Sequence, residues 1–128
     1  MDSAEKITTL SLGYELFNDR KLDQLLALMA VDVQWPDAGA GELLVGRPAI
    51  RQYWEAMFAV ANPRVLPREY VNVGDDVLAV IEQRISDFGG APIAEPLVVF
   101  QRYSFRAGLI SRMVFHPTRE SALEADGP

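Results

Sequence analysis

The stretch GRPAIRQYWEAMFAVANPRVLPREYVNV, residues 46–73, contains the point at which the chain changes from helical to strand patterning. Pro48 suits the first turn of a helix, and apolar residues then recur at intervals of three and four. They are Ile50, Tyr53, Trp54, Met57 and Phe58. Asn62-Pro63 is predicted to end this helix, because a residue before proline avoids the helical conformation. Strand residues follow from about residue 66.

Two more helices and a short strand are predicted on the N-terminal side of this stretch. Residues 3–18 have apolar side chains at helical spacing, with Ser3 as the expected N-cap. A second, shorter helix is expected from Leu22 onwards. Apolar and polar residues alternate over 33–35, which predicts a strand that Pro36 ends. The loop that follows, 37–41, contains two glycines.

On the C-terminal side, the pattern predicts four strands, at about 66–73, 77–86, 96–105 and 109–116. The short links between them favour antiparallel neighbours. Helices followed by a meander of strands are typical of an α+β fold, with three N-terminal helices packed on one face of a curved, mainly antiparallel sheet. We expect one domain, 1–128, with an ordered core at about 5–117.

Composition excludes several classes of function. The chain has 128 residues and a formal charge of −6, so nucleic acid and an anionic membrane are poor partners. It contains no cysteine and one histidine, His116, so no Cys/His metal site is expected. It has no phosphate loop or dinucleotide fingerprint, and we expect no cofactor. The N-terminus lacks a signal-peptide pattern, which predicts a cytoplasmic protein.

Asp37 and Gln101 are the two polar residues of greatest chemical interest. Asp37 follows Trp35-Pro36 in a locally apolar stretch, where desolvation would suit a carboxylate to proton abstraction, or it caps a turn. Strand alternation places Gln101 within an otherwise mostly apolar face, between Val99 and Tyr103. Its amide donates either to a ligand oxygen or to a structural partner.

The aromatic residues of the helices and the first strand are predicted to be core, and some of them to line a pocket. The expected pocket residues are Trp35, Tyr53, Trp54, Phe58, Val99, Tyr103, Met113 and Phe115. Such a pocket fits a small apolar organic ligand.

Short runs spread over about residues 5–117 are typical of one family. These are Phe17-Asn18, Leu22-Asp23, Ala30-Val31-Asp32-Val33, Gly46, Ala49-Ile50-Arg51 and Gly108-Leu109-Ile110. With them, the chain resembles the ketosteroid isomerase and SnoaL-like branch of the nuclear transport factor 2-like superfamily. The resemblance implies a cone-shaped fold that hosts isomerases, cyclases, hydrolases, dehydratases and binding modules.

The resemblance also implies roles for particular residues. Asp37 stands where ketosteroid isomerases have their general base, and Gln101 where they have a second oxyanion donor. Gly13 stands at the place of the oxyanion tyrosine, and Tyr14 is its neighbour. Met113 stands where SnoaL cyclases and limonene epoxide hydrolases have an aspartate, which argues against their chemistry in its usual form.

Three functions follow from these residues. The first is a cofactor-independent isomerase- or cyclase-type enzyme, in which Asp37 moves a proton on a carbonyl compound and Gln101, with Tyr14 or Tyr53, stabilises the enolate. The second is a non-catalytic protein that binds an apolar metabolite in the same pocket. The third is a protein-interaction module that uses the other sheet face. That face, with Phe100 and Ile110 expected on it, also predicts a homodimer.

Overall fold

The computed structural model describes residues 1–37 and 41–124. Part of the loop predicted at 37–41 therefore lies outside the described residues. The elements are α1 Ser3–Asn18, α2 Leu22–Leu26, β1 Met29–Pro36, β2 Leu43–Val45, α3 Arg47–Val60, β3 Asn62–Val73, β4 Asp76–Ser86, β5 Leu97–Arg106, β6 Leu109–His116 and α4 Arg119–Glu124. Within the described ranges, no helix is long and apolar enough to cross a membrane.

The six strands form a single sheet in the order β2-β1-β6-β5-β4-β3 within the described part of the chain. Neighbouring strands are antiparallel except β1 and β6, which are parallel. Helices α1 and α3 pack on one face of this sheet, and the main core lies between them and the strands. The predicted α+β cone with three N-terminal helices and a mainly antiparallel sheet is confirmed.

Several elements differ from the predictions at their ends. Strand β1, predicted over 33–35, begins at Met29, which already pairs with Ile110 of β6. Asp2, rather than Ser3, caps α1, because its carboxylate accepts the Glu5 amide at 2.8 Å. Strand β2 was not predicted, since three residues carry almost no periodicity. Strand β3 begins at Asn62, directly after α3, so the chain passes from helix to strand without a loop.

A bulge in β6 changes the face on which its first residues lie. Ser104 pairs with Arg112, but Phe105 pairs with Ile110, so Ser111 is an extra residue in β6. Ile110 therefore points to the main core and is 2% exposed. The prediction that Ile110 lies on the opposite sheet face was wrong, because simple alternation does not allow for the extra residue.

The last helix, α4, covers part of the sheet face opposite to α1 and α3, which we call the convex face. Ala122 is fully buried against Leu78 and Val80, with Phe100 packed beside them. Arg102, whose Nε donates to Asp76 at 2.8 Å, also donates from Nη1 to the Ala122 carbonyl at 2.9 Å. A second contact is the bidentate ion pair of Arg119 with Glu69, at 2.7 Å for each oxygen. Sequence analysis predicted no element after β6.

Candidate functional site

A cavity of about 570 Å³ lies between the helices and the concave face of the sheet. Its wall is built by α1, α2, α3 and all strands except β2. Most of the lining is apolar, and no aspartate, glutamate, lysine or arginine is among the described residues that form it. A cavity of this size and polarity fits an uncharged organic molecule.

Aromatic rings form a continuous wall along one side of the cavity. Trp35, from β1, makes an edge contact with Trp54 of α3 at 5.4 Å between centroids, and packs on Tyr103 at 5.9 Å. Trp54 makes a further edge contact with Phe17 of α1 at 5.8 Å. These rings are held by α1, α3 and two different strands, so the wall is rigid and suits a flat or ring-shaped ligand.

The buried polar side chains among the described lining residues form a cluster. The Tyr14 hydroxyl lies 2.7 Å from Gln101 Oε1 and 2.8 Å from the Tyr103 hydroxyl. The Tyr103 hydroxyl is in turn 3.0 Å from Gln101 Oε1. We call these three side chains the deep polar cluster. Helix α1 supplies Tyr14, and β5 supplies the other two residues from positions that alternate onto the same face.

The two phenols of the deep polar cluster keep their protons. Burial raises the pKa of Tyr14 well above its usual value, and the neighbouring Tyr103 adds to that shift. Burial also raises the pKa of Tyr103. Neither phenol can therefore act as a base near neutral pH, and the cluster interacts with a ligand through neutral hydrogen bonds.

The mouth of the cavity contains its only described group that titrates near neutral pH. His116, at the end of β6, lines the cavity together with Gln83, Leu97 and Pro117. Its Nδ1 is 3.1 Å from the Ser121 hydroxyl of α4. Burial lowers the pKa of His116, and the positive charge of Arg102 lowers it further. The ring is therefore neutral at physiological pH.

The structure brings together most of the predicted site residues. Those that line the cavity are Tyr14, Trp35, Tyr53, Trp54, Val99, Gln101, Tyr103 and Phe115. Phe58 and Met113 are not among the described lining residues: Phe58 packs on Phe17, and Met113 is 1% exposed within the core. Sequence analysis missed Gln83 as a lining residue, although strand alternation with Ala79 and Ile81 could have placed it on that face.

Asp37 is not among the described residues that line the cavity. It is half-buried just beyond β1, where its backbone N–H donates to the Glu42 carbonyl at 2.8 Å and its carbonyl accepts the Gly41 amide at 2.8 Å. Its neighbour Trp35 does line the cavity. The catalytic role of Asp37 stays a prediction.

The comparisons with known proteins agree with this architecture. The SnoaL-like domain family matches residues 13–113, which include the elements of the cavity wall from the second half of α1 to most of β6. The chain belongs to the SnoaL-like domain family. This family is part of the nuclear transport factor 2-like superfamily, as the resemblance implied. No curated protein matches this SnoaL-like sequence.

Solved structures show the same fold at low sequence identity. TerC, co-crystallised with polyporic acid, is 24% identical, with a TM-score of 0.74 over 88% of this chain and 92% of its own. A Sinorhizobium meliloti protein named as a candidate polyketide cyclase is 21% identical, with a TM-score of 0.73 over 85% and 94%. A Mycobacterium tuberculosis protein in complex with estradiol-17β-hemisuccinate is 18% identical, with a TM-score of 0.75 over 91% and 96%.

Proposed function

We propose that this SnoaL-like protein binds an uncharged, largely apolar ring compound in its cavity, with one ligand oxygen against the deep polar cluster. The observation that carries this proposal is that the described lining residues include no aspartate, glutamate, lysine or arginine, and that they hold a buried cluster of neutral hydrogen-bonding groups on β5 and α1. Contact with the aromatic wall would stabilise the apolar part of the ligand, and a hydrogen bond to one polar ligand atom would fix its orientation. Two structural relatives were crystallised with ring compounds, polyporic acid and estradiol-17β-hemisuccinate, which supports a ring compound as the ligand.

Isomerase- or cyclase-type catalysis is a second candidate. It needs a base within hydrogen-bond distance of the ligand. His116, neutral and at the cavity mouth, meets that need more directly than Asp37, which lies outside the described lining. We therefore propose binding as the primary function, with proton transfer as an added activity to be tested. If turnover is found, Asp37→Asn and His116→Asn will identify which residue supplies the base.

Tryptophan fluorescence tests the proposed binding directly. Both tryptophans of the chain, Trp35 and Trp54, line the cavity, so a bound ring compound should quench their emission. We would titrate the protein with estradiol and with 9-fluorenone, which are both uncharged ring compounds, and confirm each affinity by calorimetry.

A matched pair of variants shows whether binding occurs in the cavity. Val99→Phe places a larger side chain beside Gln101 in the lining, whereas Val60→Phe adds the same bulk at a site that is 76% exposed. We expect Val99→Phe to weaken binding about tenfold or more and Val60→Phe to leave it unchanged. Equal affinities for both variants, each folded by circular dichroism, would contradict a ligand site in this cavity.

We also propose that the protein is a homodimer. The support is the part of the convex face that α4 leaves uncovered, where Val98 is 50% exposed and Leu66 is 37% exposed. The cytoplasmic location expected from the sequence remains a prediction.

A further inference from the structure

The deep polar cluster has fewer protons than contacts. Three oxygen atoms, two from Tyr14 and Tyr103 and one from Gln101, lie within 2.7–3.0 Å of one another. Each phenol carries one proton, and a carbonyl oxygen carries none. Two protons therefore serve three short contacts, and one pair of oxygens faces each other without a hydrogen atom between them.

Ionisation does not change this count. Burial raises the pKa of both phenols, so each keeps its proton across the physiological range. All three residues are buried, at 7%, 3% and 8% exposure for Tyr14, Tyr103 and Gln101. The contacts are therefore fixed in a region of low dielectric constant, where an unmatched pair of acceptors is costly.

A half-turn of the Gln101 amide exchanges Oε1 for Nε2 with little change in shape. The cluster then has four protons for its three contacts. The amide nitrogen donates to both phenols, one phenol donates to the other, and one phenol proton is left for a ligand. After the half-turn, Oε1 of Gln101 faces the cavity as an acceptor.

Before the half-turn, the amide nitrogen is the group on the cavity side. Among the described residues, Gln101 Nε2 has no hydrogen-bond partner. Every buried side-chain nitrogen or oxygen of these residues does have a partner, so Nε2 is not a buried atom. The nitrogen is therefore open to the cavity, where it can donate to a ligand oxygen. The two amide orientations thus offer opposite partners: a donor in one case, and an acceptor with a phenol proton in the other.

We infer that Gln101 is a two-position specificity residue, whose amide donates to a ligand carbonyl in one orientation and accepts from a ligand hydroxyl in the other. The inference rests on the proposed binding function. It names the ligand class as ring compounds whose terminal oxygen is either a ketone or the corresponding alcohol. Each form finds complementary groups, because the hydroxyl both donates to Oε1 and accepts the free phenol proton.

A matched ketone and alcohol test this inference. The probes are 9-fluorenone and 9-fluorenol, which share one ring system and differ in a single oxygen group. Calorimetry on the wild-type protein should show binding of both probes, with 9-fluorenol favoured by less than about 100-fold, because the orientation that binds the ketone keeps one unmatched pair of oxygens. If only one probe binds, or the affinities differ by more than about 100-fold, the two-position role is wrong while the binding function stands. If neither binds, both proposals are overturned.

Removing one phenol should make the protein selective. In Tyr103→Phe, the single remaining phenol proton is matched by Oε1 of Gln101, so the amide nitrogen stays toward the cavity. We expect this variant to favour 9-fluorenone over 9-fluorenol by about tenfold more than the wild type does. Tyr14→Phe leaves the 3.0 Å contact of Tyr103 with Gln101, so it should shift the ratio of affinities in the same direction. This second variant keeps the test valid if the first one does not fold. Unchanged ratios in both folded variants would overturn the inference.

The side-chain amide gives a readout that is independent of affinity. In a ¹⁵N-labelled protein, the Gln101 amide pair is assigned by its loss in Gln101→Met. Its two proton shifts should move in distinct directions when 9-fluorenone and 9-fluorenol bind, because the amide faces different partners. Identical shifts with both probes would mean that the amide keeps one orientation, and would overturn the inference.

Discussion

The pKa of His116 should reflect its surroundings at the cavity mouth. Burial and the nearby Arg102 both lower its pKa below the ordinary 6.5. Because it is the only histidine of the chain, its imidazole proton signals can be followed without assignment. We expect an NMR titration to give a pKa below 6.5. A value above 6.5 would mean that a carboxylate, rather than Arg102, dominates its surroundings.

The same shift predicts how stability depends on pH. Between the lowered folded-state pKa and 6.5, the unfolded chain binds more protons at this position than the folded chain does. The free energy of unfolding should therefore rise with pH through that window and be fully present above it. Urea titrations of the wild type and of His116→Asn at pH 5.0 and 7.5 check the sign. The wild type should lose more stability on acidification than the variant.

At the scale of elements, α3 provides the test of core packing. Trp54 is 3% exposed and contacts both Trp35 and Phe17. We expect Trp54→Ala to lower the free energy of unfolding by about 3 kcal/mol, because it leaves a cavity next to the aromatic wall. The exposed neighbour Glu55, changed to Ala, should alter it by less than about 0.5 kcal/mol. A loss under about 1 kcal/mol for Trp54→Ala would contradict its place in the core.

We expect the packing of helix α4 on the sheet to stabilise the folded protein. Ala122 is fully buried on the convex face, while its neighbour Leu123 is 38% exposed. Ala122→Asp would bury a carboxylate against Leu78 and Val80, so we expect a loss of about 2 kcal/mol or more. Leu123→Asp is the matched control, with an expected change of about 0.5 kcal/mol or less. Chemical denaturation measures both, and equal losses would show that α4 is not docked as described.

The sequence predicted the long elements well because their periodicity extends over several turns or pairs of residues. Helices α1 and α3 and the alternating face of β5 that brings Val99, Gln101 and Tyr103 to the cavity are examples. The misses have local physical causes. The extra residue Ser111 moved Ile110 to the other face, and the short α4 is held by tertiary contacts that no periodic pattern records.

The number of protons available to the deep polar cluster could not be predicted from the sequence either. Strand alternation predicted Gln101 as a partner for a ligand, the family resemblance implied Tyr14, and Tyr103 was predicted only as part of the pocket wall. The 2.7–3.0 Å contacts among the three depend on how α1 lies across β5. The relative placement of two elements is decided by packing over the whole core, which residue spacing along one strand does not contain.

For the whole molecule, the convex sheet face determines the expected oligomeric state. Leu66, Glu82 and Val98 lie directly opposite one another on β3, β4 and β5. Glu82 is 6% exposed and forms ion pairs with Arg68 and Arg84, whereas the two apolar residues beside it remain open to solvent. Helix α4 covers the neighbouring part of this face but not this row. An apolar row of this kind, with arginines at its rim, suits a two-fold contact.

We expect size-exclusion chromatography with light scattering to give about twice the chain mass of 14.2 kDa for the wild type. Val98→Lys should give a mass near 14.2 kDa, because its ammonium can pair with Glu82 in the monomer but is desolvated in a contact between copies. Val60→Lys, at a site 76% exposed on the end of α3, is the control and should leave the dimer intact. A wild-type protein that stays monomeric at high micromolar concentration would show that this apolar row remains open to solvent, and would contradict the proposed dimer.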